Sequence, residues 1–258
     1  MKLLIGSIGL IVILIAGLLM FQGKDGRGYK LLTKLLRPMI PQPELSQALS
    51  TNYAEGFKQI TENTDWQWYQ SDLVDWKLEG DSLAIKTNQE SVWWQNTRGP
   101  MLFRPVKGDV EVSIKLNARK ASNSEAFPDS AYQFGGIMLR DPASAHMLTS
   151  ENYVFNVIGN RGPNGIQVET KSTHNGWSSV QGTDWTTGDV ELKIKRIGAQ
   201  FSLFARSLEG ADWQLVQEYQ RADLPEILQL GVIVYSYSGG QGVFDLTVAF
   251  KDLVINFH

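Results

Sequence analysis

From residue 66 to its end the chain is cut into short alternating or wholly apolar runs by Gly, Asn, Asp and Pro, and no stretch sustains a 3.6-residue hydrophobic period. Period-two patterning buries one face of a pleated strand, so this region reads as β structure throughout. Candidate strands fall at 66–69, 76–78, 82–87, 92–95, 101–104, 109–118, 132–140, 153–158, 165–171, 190–196, 200–207, 213–219, 228–235 and 243–256. About a dozen or more strands without an intervening linker argue for one domain, most simply a sandwich of two antiparallel sheets. Turn chemistry agrees. Glu79-Gly80-Asp81, Lys107-Gly108-Asp109, Asn175-Gly176 and Glu209-Gly210 fall between candidate strands, where hairpin turns need positive φ.

The N-terminal part is built differently. Residues 3–21 form a run of 19 without a charge, and a helix of that length spans roughly 28 Å, which matches a bilayer core. The run exceeds the roughly 7–15 apolar residues of a cleavable signal, and Phe21-Gln22-Gly23 is a poor cleavage site, so residues 1–23 are expected to remain as a transmembrane anchor. Lys24, Arg27, Lys30, Lys34 and Arg37 follow, with Leu31, Leu32, Leu35 and Leu36 on the helical face opposite Lys30, Lys34 and Arg37. This reads as a short amphipathic helix on anionic lipid, so residues 3–37 are expected to meet the bilayer. Pro38, Pro41 and Pro43 then make a stiff connector. The division expected is therefore anchor 1–23, basic helix and linker 24–62, and sandwich domain 63–258. Two signals disagree about orientation. Five basic side chains after the span against Lys2 and the α-amino group before it favour a cytoplasmic domain, whereas the Met-Lys-apolar opening has the shape of an export signal. The expectation adopted is a single-pass protein with its sandwich on the extracytoplasmic side.

Composition excludes several function classes. Lys and Arg number 24 against 27 Asp and Glu, a formal net charge of -3, so no basic excess points to nucleic acid. Without cysteine there is no disulfide, thiolate metal site or cysteine nucleophile. His146, His174 and His258 lack two-residue or four-residue partners, which removes support for a zinc site or a histidine-based triad. Ser238-Gly239-Gly240-Gln241-Gly242 lacks the Lys-Ser/Thr end of a phosphate loop and reads as a flexible hairpin. Asp129, Asp141 and Asn160 show no calcium-loop spacing, and no cofactor is expected.

Blocks spread over residues 66–257 carry a family resemblance. They are Trp93-Trp94-Gln95-Asn96-Thr97-Arg98-Gly99-Pro100-Met101-Leu102-Phe103, Lys107-Gly108-Asp109-Val110-Glu111-Val112, Phe134-Gly135-Gly136-Ile137-Met138-Leu139-Arg140-Asp141 and Glu151-Asn152-Tyr153-Val154. Val190-Glu191-Leu192-Lys193-Ile194-Lys195-Arg196, Ser207-Leu208-Glu209-Gly210-Ala211-Asp212-Trp213 and Leu228-Gln229-Leu230-Gly231 complete the order. Together they resemble the concanavalin A-like lectin/glucanase superfamily, above all regulation of enolase protein 1-like domains and the C-terminal domain of family 43 β-xylosidases. The resemblance implies an all-β jelly-roll sandwich whose concave face, when functional, holds a sugar; it brings no established catalytic set.

Glucanases of that superfamily place Glu-x-Asp-x-x-Glu on one strand. Here Glu111 and Glu191 are followed at the two-residue step by Ser113 and Lys193, and at the five-residue step by Leu116 and Arg196. Catalysis would need a carboxylate pair formed between strands, for example from Asp109, Glu111, Asp141 and Glu169.

Sugars offer an apolar C–H face to aromatic rings and hydroxyls to planar polar groups. In the run 92–98, Trp94, Asn96 and Arg98 share one side and Trp93, Gln95 and Thr97 the other. Met138 and Arg140 share a face, as do Gln167, Glu169 and Lys171, while Asn156 lies with Val154 and Ile158 opposite Tyr153, Phe155 and Val157. Trp177 and Trp185 flank a candidate hairpin loop. The candidate glycan-binding residues are therefore Trp94, Asn96, Arg98, Arg140, Asn156, Glu169, Lys171 and Trp177. Three functions stay open: a membrane-anchored non-catalytic carbohydrate-binding domain, which is preferred, a glycan-processing enzyme, and a structural or protein-interaction sandwich.

Overall fold

The structure, a computed structural model, describes residues 48–54, 56–57, 65–145, 150–210 and 212–258. The expected anchor, the amphipathic helix, the proline connector and His146 lie outside these residues. No helix among the described residues is long and apolar enough to cross a membrane.

The strands are β1 (Gln67–Tyr69), β2 (Val74–Glu79), β3 (Ser82–Thr87), β4 (Met101–Lys107), β5 (Val110–Arg119), β6 (Gln133–Arg140) and β7 (Tyr153–Asn160). They continue with β8 (Ile166–His174), β9 (Trp177–Asp184), β10 (Asp189–Ile197), β11 (Gln200–Arg206), β12 (Gln214–Gln220), β13 (Ile227–Ser236) and β14 (Thr247–Phe257). They form two seven-stranded antiparallel sheets, in the orders β1-β4-β13-β6-β7-β8-β9 and β12-β11-β10-β5-β14-β3-β2. The expected two-sheet antiparallel sandwich is what the chain adopts.

The sheets differ in how they use their faces. In the second sheet, β5 turns Val110, Val112, Ile114, Leu116 and Ala118 inward and leaves the alternate residues half-exposed, the pattern of a strand with one dry face. In the first sheet, β6, β7 and β13 are buried at every position. Val154, Ile158, Val232 and Val234 enter the core between the sheets, while their neighbours Tyr153, Phe155, Val157, Ile233 and Tyr235 join Trp93, Phe134 and Met138 in a second apolar cluster on the outer face. Loops cover that second face, and they build the site.

Four local expectations change. The run 92–95 is not a strand. Gln95 sits at φ 54°, and Trp94 and Thr97 exchange backbone hydrogen bonds of 3.2 and 2.8 Å, closing a tight turn. That turn buries Trp93 completely and leaves Trp94 40% exposed. The stretch between Trp177 and Trp185, expected as a hairpin loop, is strand β9, because Asn175 and Gly176 both take positive φ (50° and 76°) in a two-residue hairpin and pair His174 with Trp177. Gly108 and residues 238–242 make no hairpins: each joins a strand of one sheet to a strand of the other. The Glu90 carboxylate ties the second of these loops down by accepting from the Ser238 hydroxyl and the Ser238 and Gly240 amides, bonds that lower its pKa.

The packed unit also starts before residue 63. Tyr53 and Phe57 enter the core, Leu49 bridges Val106 of the first sheet, and Tyr53 bridges Ile255 of the second. Arg104 lies 4.9 Å from the Tyr53 ring and 5.6 Å from the Trp66 ring, a cation held between two aromatics. A stretch read as linker thus ties the two sheets together, because three apolar anchors matter more here than the local lack of period.

Candidate functional site

On β8, Val168 points into the core and Thr170 meets the Tyr219 hydroxyl of the second sheet at 3.2 Å, so Gln167, Glu169 and Lys171 stand on the outer face. Glu169 and Lys171 form the polar floor of a pocket of about 420 Å³. Its walls are aromatic: Trp94 from the turn before β4, Tyr132 before β6, and Tyr235 and Tyr237 at the end of β13. Trp94, Tyr132 and Tyr237 are 40–47% exposed and line one pocket together, a clustered rather than a scattered aromatic surface. Backbone bonds set these loops: the Ser91 amide donates to the Ser236 carbonyl at 2.9 Å and the Tyr237 amide to the Tyr132 carbonyl at 3.1 Å. Arg161, directly after β7, completes the charged part of the wall.

Lys171 is almost wholly buried. Its Nζ donates to the Trp93 carbonyl at 2.8 Å and lies 5.0 Å from the Trp94 ring and 4.6 Å from the Phe155 ring. Burial lowers its pKa to about 8, against the attraction of Glu169. Burial likewise raises the pKa of Glu169, opposed by Lys171 and Arg161. The ion pairs are loose: Lys171 Nζ to Glu169 Oε1 is 3.5 Å and Arg161 Nε to Glu169 Oε2 is 3.7 Å.

The other expected residues go elsewhere. Arg140 has no exposed side-chain surface: its Nε and Nη2 donate to Glu151 at 2.9 and 2.8 Å, and its Nη1 donates to Gln229 Oε1 at 3.1 Å. Arg98 donates to the same Glu151, making a sealed Arg–Glu–Arg cluster in which Arg140 also lies 4.8 Å from the Tyr69 ring. Asn96 accepts the Glu151 amide at 3.0 Å and packs on the Asn175-Gly176 turn. Asn156 faces the core, where its Nδ2 donates to the Lys193 and Phe204 carbonyls across the sandwich. Trp177 is 76% exposed at the hairpin tip and does not line the pocket, whereas Trp185 packs against the core. Of the eight candidates, Trp94, Glu169 and Lys171 meet in one pocket.

Tyr132, Arg161, Tyr235 and Tyr237 escaped the sequence reading because each stands at or just beyond a strand end, where alternation carries no signal. The carboxylates considered for catalysis do not converge. Glu111 pairs with Lys193 and Lys195 on the outer face of the second sheet, Asp109 accepts the Gly198 amide, and Asp141 accepts the Ala143 amide beside a 3₁₀ turn. No cluster of three or more His, Cys, Asp or Glu able to hold a metal occurs among the described residues.

No protein-family model matches the chain. No curated protein matches its sequence. Solved structures do match its fold. A functionally unknown protein from Saccharomyces cerevisiae shares 15% identity, with 76% of this chain and 97% of that chain covered and a TM-score of 0.61. A GH43 protein from Bacillus licheniformis shares 14%, with 85% of this chain covered and a TM-score of 0.57, and the match spans 40% of that longer chain. Lectin I-B4 from Griffonia simplicifolia shares 12%, with 80% and 99% covered and a TM-score of 0.53. The chain therefore has the concanavalin A-like sandwich fold of legume lectins and of regions of GH43 proteins.

Proposed function

We propose that this protein is a non-catalytic carbohydrate-binding domain that receives a sugar in the pocket between Trp94, Tyr132 and Tyr237. The observation that carries the reading is three half-exposed rings standing over a buried floor of Glu169 and Lys171. Rings stack on the C–H face of a pyranose, while a carboxylate and an ammonium accept from and donate to its hydroxyls. Glu169 is the one carboxylate among the lining residues, and glycosidase chemistry needs two, which favours binding over hydrolysis. The lectin and GH43 folds lend analogy only.

The test is a glycan panel probed with the full chain in detergent, comparing wild type with Trp94→Ala. Retention of selected glycans that falls at least roughly ten-fold in the variant supports the reading. A folded protein that binds nothing on a broad panel moves the assignment to a protein-interaction domain.

We also propose that residues 3–37 hold the domain at a membrane and that it lies on the extracytoplasmic side. The uncharged run and its basic flank support the anchor. A mature chain whose mass shows it to begin between Phe21 and Tyr29 would exclude an uncleaved anchor. A phosphatase fused after His258 reads the topology, and activity confined to the cytoplasm reverses it.

A further inference from the structure

The described part of the chain holds eight arginines, and seven of them spend side-chain N–H groups on the protein. Arg98, Arg104, Arg119, Arg140, Arg196, Arg206 and Arg221 each donate at least one hydrogen bond to a carboxylate or carbonyl. Arg161 makes none; its guanidinium has only the 3.7 Å ion pair to Glu169. It is nonetheless positioned. Its backbone amide donates to the Gly165 carbonyl at 2.9 Å, and the preceding Asn160 accepts the Gly162 amide at 2.6 Å and donates to the Pro128 carbonyl at 2.9 Å. Gly182 on β9 leaves room for the side chain: a Cβ there would stand 2.9 Å from Arg161 Nη1. The guanidinium thus lies in the pocket wall, 27% exposed, with its donors unspent.

The charge count points the same way. The charged lining residues are Arg161, Lys171 and Glu169, which sum to one positive charge inside aromatic walls. Glu169 is 95% buried and held only by its two loose ion pairs, well beyond the roughly 2.7–2.9 Å of charge-assisted hydrogen bonds. It therefore has acceptor capacity for a hydroxyl, while Arg161 has a free planar fork for a planar anion.

We infer that the ligand is an acidic saccharide of the uronic acid type, its carboxylate received by the fork of Arg161 and its ring hydroxyls by Glu169. The inference rests on the carbohydrate-binding reading of this pocket and narrows its ligand class. One bound carboxylate brings the pocket to neutrality, beside the rings of Trp94 and Tyr237 that line it.

The experiment compares matched ligands on the full chain in detergent: methyl glucuronide against methyl glucoside, and oligogalacturonide against its methyl ester. Titration calorimetry should show the acid bound at least roughly ten-fold more tightly, as a bidentate charged contact implies. Arg161→Gln should remove that preference, and Arg161→Lys should restore part of it. The acid preference should also weaken as salt is raised. Equal binding of acid and neutral sugar, or a preference that survives Arg161→Gln, overturns the inference and leaves the carbohydrate-binding reading standing. Failure of both classes to bind a folded protein overturns both.

Discussion

Glu151 and Glu169 are both buried carboxylates on the outer side of the first sheet, and each lies between two cations. Glu151 has no exposed side-chain surface and is gripped by Arg140 at 2.8 and 2.9 Å and by Arg98. Glu169 is met by Arg161 and Lys171 at 3.5–3.7 Å, at the floor of an open pocket. Burying ions costs several kcal/mol each, and short, complete hydrogen bonding is what offsets it. The Glu151 cluster meets that condition and pins the segment before β7 to β6. The Glu169 cluster does not meet it alone, which is how a site differs from a staple.

The strongest way to break the comparison is to remove each carboxylate. Glu151→Ala leaves two cations without their partner and should cost about 3–5 kcal/mol in urea unfolding. Glu169→Gln, at a loosely paired position, should cost no more than about 1 kcal/mol. Equal losses would erase the distinction between staple and site.

A second perturbation reaches the sealed cluster indirectly. The Gly176 amide donates to the Glu151 carbonyl at 2.9 Å, and a Cβ at Gly176 would press on the Asn96 amide from a φ of 76°. Gly176→Ala should destabilise by about 1–2 kcal/mol and leave sugar affinity unchanged. A loss of affinity larger than the loss of stability would join the two clusters.

The pH dependence separates them further. An unfolded lysine titrates near 10.5, and burial lowers Lys171 to about 8, so between these values the unfolded chain binds more protons and stability rises with pH. Burial raises the pKa of Tyr153, Tyr219 and Tyr235, which opposes the rise above pH 10, so the window to read is 8 to 10. The groups facing Lys171 are Glu169, Arg161, Trp94 and Phe155. The urea midpoint should be higher at about pH 9.5 than at about 7.5, and Lys171→Met should lose that gain. A midpoint that is flat in wild type, or a gain that persists in the variant, contradicts the assignment. Over the same interval the pocket falls from one positive charge to neutral, so binding of an acidic sugar should weaken.

The smallest effect is expected at the most visible ring. Trp177 is 76% exposed and outside the pocket, so Trp177→Ala should change stability by no more than about 0.5 kcal/mol and leave glycan retention intact. A drop matching that of Trp94→Ala would extend the site to the hairpin tip.

Period-two runs and their turns were enough to read the β class, the single sandwich and most strands, because burying one face of a strand writes its own pattern. The same alternation put Glu169 and Lys171 on one face, but it could not show that Asn156, a candidate beside Val154 and Ile158, faces the core. It could not tell a sealed polar residue from an open one. Arg140 and Lys171 look alike in sequence; Arg140 is closed off by Glu151, eleven residues downstream, and Lys171 opens onto a pocket walled by loops from four separate strand ends. Nor could it show that Leu49 and Tyr53 bridge to one sheet each and that Phe57 enters the core, since a residue packed from outside the strands follows no period. Local chemistry along the chain determined which residues lie on which face. Which of those faces is covered, and by what, depends on long-range contacts that exist only once the sheets have met, and that decided where the pocket lies.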